Sequence, residues 1–268
     1  MKKALAVLCM IALLALLLGG IGYVLLFMED KPPPAPSSSV PSDQPRLNVK
    51  QKAETPADVL DALGYEIGAN RDTVGWLDVP GTDINNSVLQ SHDNDFYLRR
   101  NERKQYEVYG CYFADYECSI GNRDVLSPNT IIYGHSSPGD DPDGRRFSQL
   151  FRFTDPDFAA KTPVIHFSTL DDFMVWQVFA VFYTDIGFNY ISSDPSDGIT
   201  AMAAQAMEKS LYNYGVEIGP DDHILALSTC TEKYGDSNHR FVVMARLLPK
   251  DEEIPATAQF TLRPEAES

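Results

Sequence analysis

His223-Ile224-Leu225-Ala226-Leu227-Ser228-Thr229-Cys230 lies near the end of the chain, ahead of a last Val-rich run. It is an apolar, alternating run that ends on a cysteine, and a polar loop over residues 231–239 follows it. Such a run reads as a β-strand. A strand end beside a loop holds a side chain both fixed and accessible. Taken alone, Cys230 reads first as a small buried hydrophobe.

Similar runs surround it. Residues 74–79, 87–89, 109–113, 130–133, 164–167, 174–183, 224–229 and 241–248 are rich in Val, Ile, Phe, Tyr and Trp. Gly, Pro, Asn and Asp punctuate them. Helices are expected near 56–63, in a second short piece before Thr73, and over 197–212. In the last, Ile199, Met202, Ala203, Ala206, Met207 and Leu211 fall at helical spacing. Eight strands and few helices predict a mainly β fold, a mainly antiparallel closed barrel with helical additions. No internal repeat is visible.

Two other runs end on reactive side chains. His135 closes Thr130-Ile131-Ile132-Tyr133-Gly134-His135, where an imidazole can act as general acid and base near neutral pH. Arg240 stands ten residues after Cys230 and opens Phe241-Val242-Val243-Met244, where a guanidinium can donate to a developing oxyanion. Each has a bland reading, for the arginine a solvated barrel rim. Together they describe a thiol acyl-transfer site. The other histidines read more simply: His166 as a strand residue, His92 and His239 as solvated loop residues, His223 as a cap on the cysteine strand.

The 268 residues carry 38 acidic and 22 basic side chains. Without residues 1–31, which hold Lys2, Lys3, Lys31, Glu29 and Asp30, 36 acidic and 19 basic groups leave a net charge of −17. An acidic body argues against nucleic acid as partner, since phosphate binding needs a basic face. Hydrophobic content of 44% and charged content of 22% exclude wholesale disorder.

Residues 1–30 read as cytoplasmic lysines and a transmembrane anchor. Residues 4–28 are 25 positions without a charge, a helix of about 38 Å against a hydrocarbon core of about 30 Å. The run is longer than a signal-peptide core and ends in bulky residues, so it reads as retained rather than cleaved. Lys2 and Lys3 before it put the N-terminus inside the cell and the remainder outside. Residues 31–47, rich in Pro and Ser, read as an extended linker. Residues 48–249 form the body, and 250–268 an acidic flexible tail.

Of the four cysteines, Cys9 lies in the apolar run. Cys111 and Cys118 are compatible with a bridge outside the cell or with two free thiols. No CxxC pair and no HExxH motif occurs, so no zinc site is expected.

Leu227-Ser228-Thr229-Cys230 resembles the Leu-x-Thr-Cys signature of sortases, and Tyr133-Gly134-His135 their histidine motif. Val74-Gly75-Trp76-Leu77-Asp78-Val79-Pro80-Gly81-Thr82 is similar to the GWIxIPGT segment of class B sortases. Val88-Leu89-Gln90, Asn94 and Tyr97-Leu98 are similar to a second class B stretch, and the helix before the cysteine strand fits that class. The resemblance covers roughly residues 56–249. Asn86-Ser87 departs from it, standing where Tyr-Pro is frequent, and so does the acidic, turn-rich loop over 136–144.

The resemblance implies a sortase-like barrel of about eight strands and a membrane-anchored cysteine transpeptidase on a Gram-positive type of cell. His135, Cys230 and Arg240 would be catalytic. Asn94, Tyr133, Ser228, Thr229 and Glu232 would line the substrate groove. The implied partners are surface proteins bearing a sorting signal, cut after Thr, and an amine acceptor from a peptidoglycan precursor or a pilin lysine. No cofactor is implied, and acidic clusters such as Asp140–Asp143 read as solvated turns. The competing readings are a pilus-type sortase and a non-enzymatic anchored surface module.

Overall fold

The computed structural model describes residues 56–263 apart from Asp236. The expected anchor, the linker and the first residues of the body lie outside them. Among the described residues no helix is long and apolar enough to cross a membrane.

Helix α1 (Ala57–Ala69) leads into strands β1 (Thr73–Asp78), β2 (Asn85–Leu89), β3 (Tyr112–Ala114) and β4 (Asn129–Tyr133). A long 3-10 segment (Arg146–Thr154) and the short helix α2 (Pro156–Lys161) come next. Strands β5 (Val164–Ser168) and β6 (Val175–Asp185), helix α3 (Ile199–Lys209) and strand β7 (Tyr212–Asn213) follow. Strands β8 (Ile224–Cys230), β9 (His239–Leu247) and β10 (Thr261–Leu262) complete the chain. Eight strands close a barrel in the order β1-β2-β3-β4-β8-β9-β6-β5. Six of the pairings are antiparallel, and β2–β3 and β4–β8 are parallel.

The side-chain period of two explains the layers. From β8 and β9, Leu225, Leu227, Phe241, Val243 and Ala245 point into the barrel with Trp176, Phe167 and Leu77. Their neighbours Ile224, Ala226, Val242 and Met244 face outward, under Ile199, Met202, Ala203 and Ala206 of α3. Both faces are buried, which is why these strands read as almost continuous apolar runs. Phe147, Leu150, Phe151 and Phe153 of the 3-10 segment fill the barrel core from one side.

Three expectations change. A single helix, α1, replaces the two expected before Thr73. It runs through Gly64 and Gly68, where a Cβ would meet nothing within 4 Å, so neither glycine marks a packing break. Strand β3 begins at Tyr112 rather than 109, because Gly110 turns the chain with a φ of 51°. The tail is not loose over its described part. Thr261 and Leu262 pair with Asn213 and Tyr212, and the Phe260 ring lies 4.5 Å from that of Tyr212 and 5.2 Å from that of Tyr214. Its acidic start hid an aromatic side chain with a site to fill.

Candidate active site

The parallel β4–β8 pairing sets Asn129 opposite Ile224 and Tyr133 opposite Ser228. The ladder ends where the Gly134 N–H donates to the Ser228 carbonyl (3.3 Å). Extending that register by two residues brings His135 beside Cys230. The antiparallel β8–β9 pairing sets Arg240 directly across from Cys230. Ile131, Ala226, Val242 and Met244 all lie on the outer face of the barrel. By alternation His135, Cys230 and Arg240 leave that same face at one end of three adjacent strands. They share a cavity of about 290 Å³ with Asn94, Asp95, Leu98, Phe113, Tyr133, Gly134, Ser228 and Thr229. Cys230 is exposed to solvent, whereas Thr229 beside it is buried.

His135 is held from a second direction. Its Nε2 lies 2.8 Å from the Leu98 carbonyl. A carbonyl only accepts, so Nε2 carries the hydrogen and Nδ1 is left as the exchangeable position. Leu98 itself is fixed through its neighbour. The Tyr97 hydroxyl donates to Asp72 (2.6 Å) and accepts from the Asn70 amide (2.9 Å) at the end of α1. Gly110 packs against this turn so closely that a Cβ would stand 2.4 Å from the Tyr97 carbonyl oxygen. Gly134 meets the same limit, since its Cβ would lie 2.8 Å from the Phe147 ring. Burial holds the His135 imidazole below its ordinary pKa. Arg99 and Arg146 push the same way, against the Leu98 hydrogen bond.

Arg240 Nη1 donates to the carbonyls of Ser237 (2.8 Å) and His239 (2.9 Å). Those bonds fix one end of the planar guanidinium, and its remaining N–H groups provide the donors a developing oxyanion needs.

The polar wall of the cavity converges on a residue that sequence reasoning missed. Asp115 is 4% exposed. Its Oδ2 accepts from the Asn94 amide (2.8 Å) and from the Tyr133 hydroxyl (2.8 Å), and its Oδ1 from the Glu117 N–H (2.9 Å). Burial and the adjacent carboxylate raise the Tyr133 phenol well above its usual pKa, so it stays a neutral donor. The Ser228 hydroxyl shares a 2.7 Å hydrogen bond with Tyr190, a second missed residue. The signal for Asp115 was its place just past an apolar strand, as with Cys230 and His135. Leu98 acts through its backbone and left no signal.

Glu232 does not line the cavity. Its carboxylate accepts from the Gly139 N–H (2.9 Å) in the acidic loop. Outside the site, His166 Nδ1 lies 3.0 Å from Asp78 Oδ2, and His223 Nδ1 3.0 Å from the Ser127 carbonyl. His239, expected in a loop, is the first residue of β9. Cys111 and Cys118 are buried free thiols, and burial pushes the Cys118 pKa up to about 12. Cys230 is therefore the accessible thiol of the described residues. Among those residues no group of three or more His, Cys, Asp or Glu side chains is placed to hold a metal ion.

Comparison with known proteins agrees with this geometry. The sortase domain family model matches residues 77–248. Sortase B of Listeria monocytogenes is 32% identical over 196 residues, which are 72% of this chain and 76% of that one. The Staphylococcus aureus sortase B–substrate complex superposes with a TM-score of 0.63 at 29% identity, covering 71% of this chain and 86% of that chain. A sortase B complexed with triglycine gives a TM-score of 0.61 at 29% identity, over 69% and 84%. A family match of this extent, on a barrel that brings thiol, imidazole and guanidinium to one end, places the chain in the sortase family as a cysteine transpeptidase of class B.

Proposed function

We propose that the protein cuts a sorting signal after a threonine and joins the threonyl carbonyl to an amine of a cell-wall precursor. The observation that carries this reading is the convergence of Cys230, Arg240 and His135 on one cavity open to solvent. The cavity has apolar side chains, Leu98 and Phe113, beside a polar wall of Asn94, Tyr133 and Ser228. That lining suits an extended peptide. The relatives crystallised with a substrate and with triglycine support a peptide donor and an amine acceptor here.

In acylation the Cys230 sulfur forms a bond to the threonyl carbonyl carbon. The carbonyl oxygen takes the negative charge and the guanidinium of Arg240 stabilises it. The C–N bond then breaks, and His135 delivers to the leaving amine the proton that balances the thiol's loss. A thioester remains. In the second half, an acceptor amine attacks that carbonyl, His135 takes its proton, and the C–S bond breaks to return the thiol. Transfer outruns hydrolysis when the amine is held nearer the thioester than water is. Asp95 on the cavity rim and the acidic body favour a cationic acceptor.

Residues 4–28 would anchor the protein in the membrane, with Lys2 and Lys3 inside and the barrel outside the cell. The test uses the full chain in detergent with Thr-containing sorting peptides and a panel of amines: triglycine, a diamino acid and a lysine peptide. A mass increase on Cys230 and an amide-linked product, both absent in Cys230→Ala, are expected. No adduct with any peptide, from protein that melts cooperatively, refutes the reading. A product with the lysine peptide alone would move it to pilin joining.

A further inference from the structure

The ladder that brings His135 and Cys230 together stops before either residue. Its last bond, from Gly134 to Ser228, is long at 3.3 Å. Arg240 differs, because the β8–β9 ladder pairs it with Cys230 directly. Something beyond the sheet must therefore set the distance from imidazole to thiol. The loop leaving β4 and the loop leaving β8 are joined by four hydrogen bonds. The Ser136 hydroxyl donates to the Cys230 carbonyl (2.9 Å). The Thr231 hydroxyl donates to Asp140 Oδ2 (2.5 Å), and the Glu232 N–H to Asp140 Oδ1 (2.9 Å). The Gly139 N–H donates back to Glu232 Oε2 (2.9 Å). Three of these four involve Asp140 or its neighbour Gly139.

The backbone at Asp140 is strained. Its φ is 51°, in the left-handed region, directly after Gly139 at 79°. A non-glycine residue holds that conformation where its surroundings offset the strain. Here the offset is a bidentate grip on the two residues that follow the nucleophile. Thr231, one of them, is 2% exposed, so its hydroxyl has little water to fall back on.

We infer that Asp140 is a positioning residue: it clasps the β4 exit loop to Thr231 and Glu232 and so fixes how His135 meets Cys230. It does not line the cavity that holds His135, Cys230 and Arg240. The acidic loop over 136–144 that departs from the family pattern is then part of the site's frame. The inference rests on the family's thiol–imidazole chemistry and not on the identity of the sorting signal.

The test compares the native full chain with Asp140→Ala, Asp140→Asn and Thr231→Val. Steady-state transpeptidation of the best sorting peptide with triglycine gives kcat and KM. Misplacing a catalytic group by about 1 Å can cost about 100-fold in rate. Asp140→Ala is expected to lower kcat by roughly 10–100-fold with KM within about 2-fold. Asp140→Asn keeps an oxygen for the Glu232 N–H and an amide that can donate to Thr231, and is expected to recover to within about 3-fold of native. Amide hydrogen exchange reads the clasp without substrate: exchange rises together over 136–140 and 231–235. If the native chain turns over none of the peptides, the sorting-signal reading fails and exchange alone decides the clasp. The inference is overturned if Asp140→Ala keeps native kcat, or if exchange rises on the 136–140 side alone. Should Asp140→Ala not fold, native kcat and native exchange in the near-isosteric Thr231→Val overturn it.

Discussion

Replacing Asp115 with Asn changes one atom at the centre of the cavity's polar wall. The carboxylate accepts three hydrogen bonds: Asn94 and Tyr133 at Oδ2, and the Glu117 N–H at Oδ1. An Asn that keeps its oxygen on Glu117 turns its own amide toward the Asn94 amide, donor against donor. The Tyr133 hydroxyl can rotate and accept instead, so one bond is recovered in weaker form and one is lost. Hydrogen bonds to charged groups contribute about 1.5–3 kcal/mol each, so the expected cost is about 2–4 kcal/mol. For a body of this size each kcal/mol moves the unfolding midpoint by about 2–4 °C, which predicts a midpoint lower by about 4–16 °C. Calorimetry of native and variant side by side measures it. Because Asn94 and Tyr133 line the cavity, KM for the peptide should rise more than kcat falls. A midpoint within about 2 °C of native, or a loss confined to kcat, would refute the assignment of Asp115 as the residue that orients both groups.

Arg240→Lys keeps the charge but replaces the planar fork of five N–H donors with a compact ammonium, which loses the geometry that holds two loop carbonyls while facing the cavity. The acylation rate, followed by mass spectrometry in a single turnover, should fall by about 10²–10³, the loss of one oxyanion donor, and a fall under about 5-fold would remove Arg240 from that role. In the fold His135 is held, chiefly by burial, below the ordinary histidine pKa of about 6.5. The unfolded chain therefore binds the proton first. Stability from this group is fully present above about pH 6.5 and is lost as pH falls through about 6.5 toward the folded pKa. The unfolding midpoint of the native protein should thus drop more between about pH 7.5 and about pH 5 than that of His135→Gln, and parallel profiles would contradict it.

The barrel was legible because its strands carry their own signal. Each of the eight apolar runs became a barrel strand, and α3 kept the residues whose spacing announced it. Cys230, His135 and Arg240 were legible for the same reason, as reactive side chains closing or opening such runs. Pairing direction was not. Nothing in Asn129–Tyr133 or Ile224–Cys230 says that the two strands run parallel, since both are buried on two faces and lack a polar edge to orient them. The supports of the site were equally silent. Leu98 contributes a carbonyl that every residue type has. Asp140 sits in a loop whose composition reads as a solvated turn, and its partner Thr231 lies 91 residues away. Glu232, by contrast, carried a family expectation, and its carboxylate is engaged by Gly139.

Ser136 and Cys230 are separated by 94 residues, and the strands that carry histidine and cysteine are parallel. Closing a loop that long is entropically slow, and parallel pairing cannot begin from a hairpin. Strands β5 and β6 and helix α3 all lie between the two partners in the chain and can gather first. The nucleophile and its base should accordingly meet late in folding. A chain emerging during synthesis then carries an exposed thiol for some time without the imidazole that makes it an acyl-transfer group. Activity arrives with the final closure of the barrel, so an incompletely folded copy has the cysteine but not the chemistry.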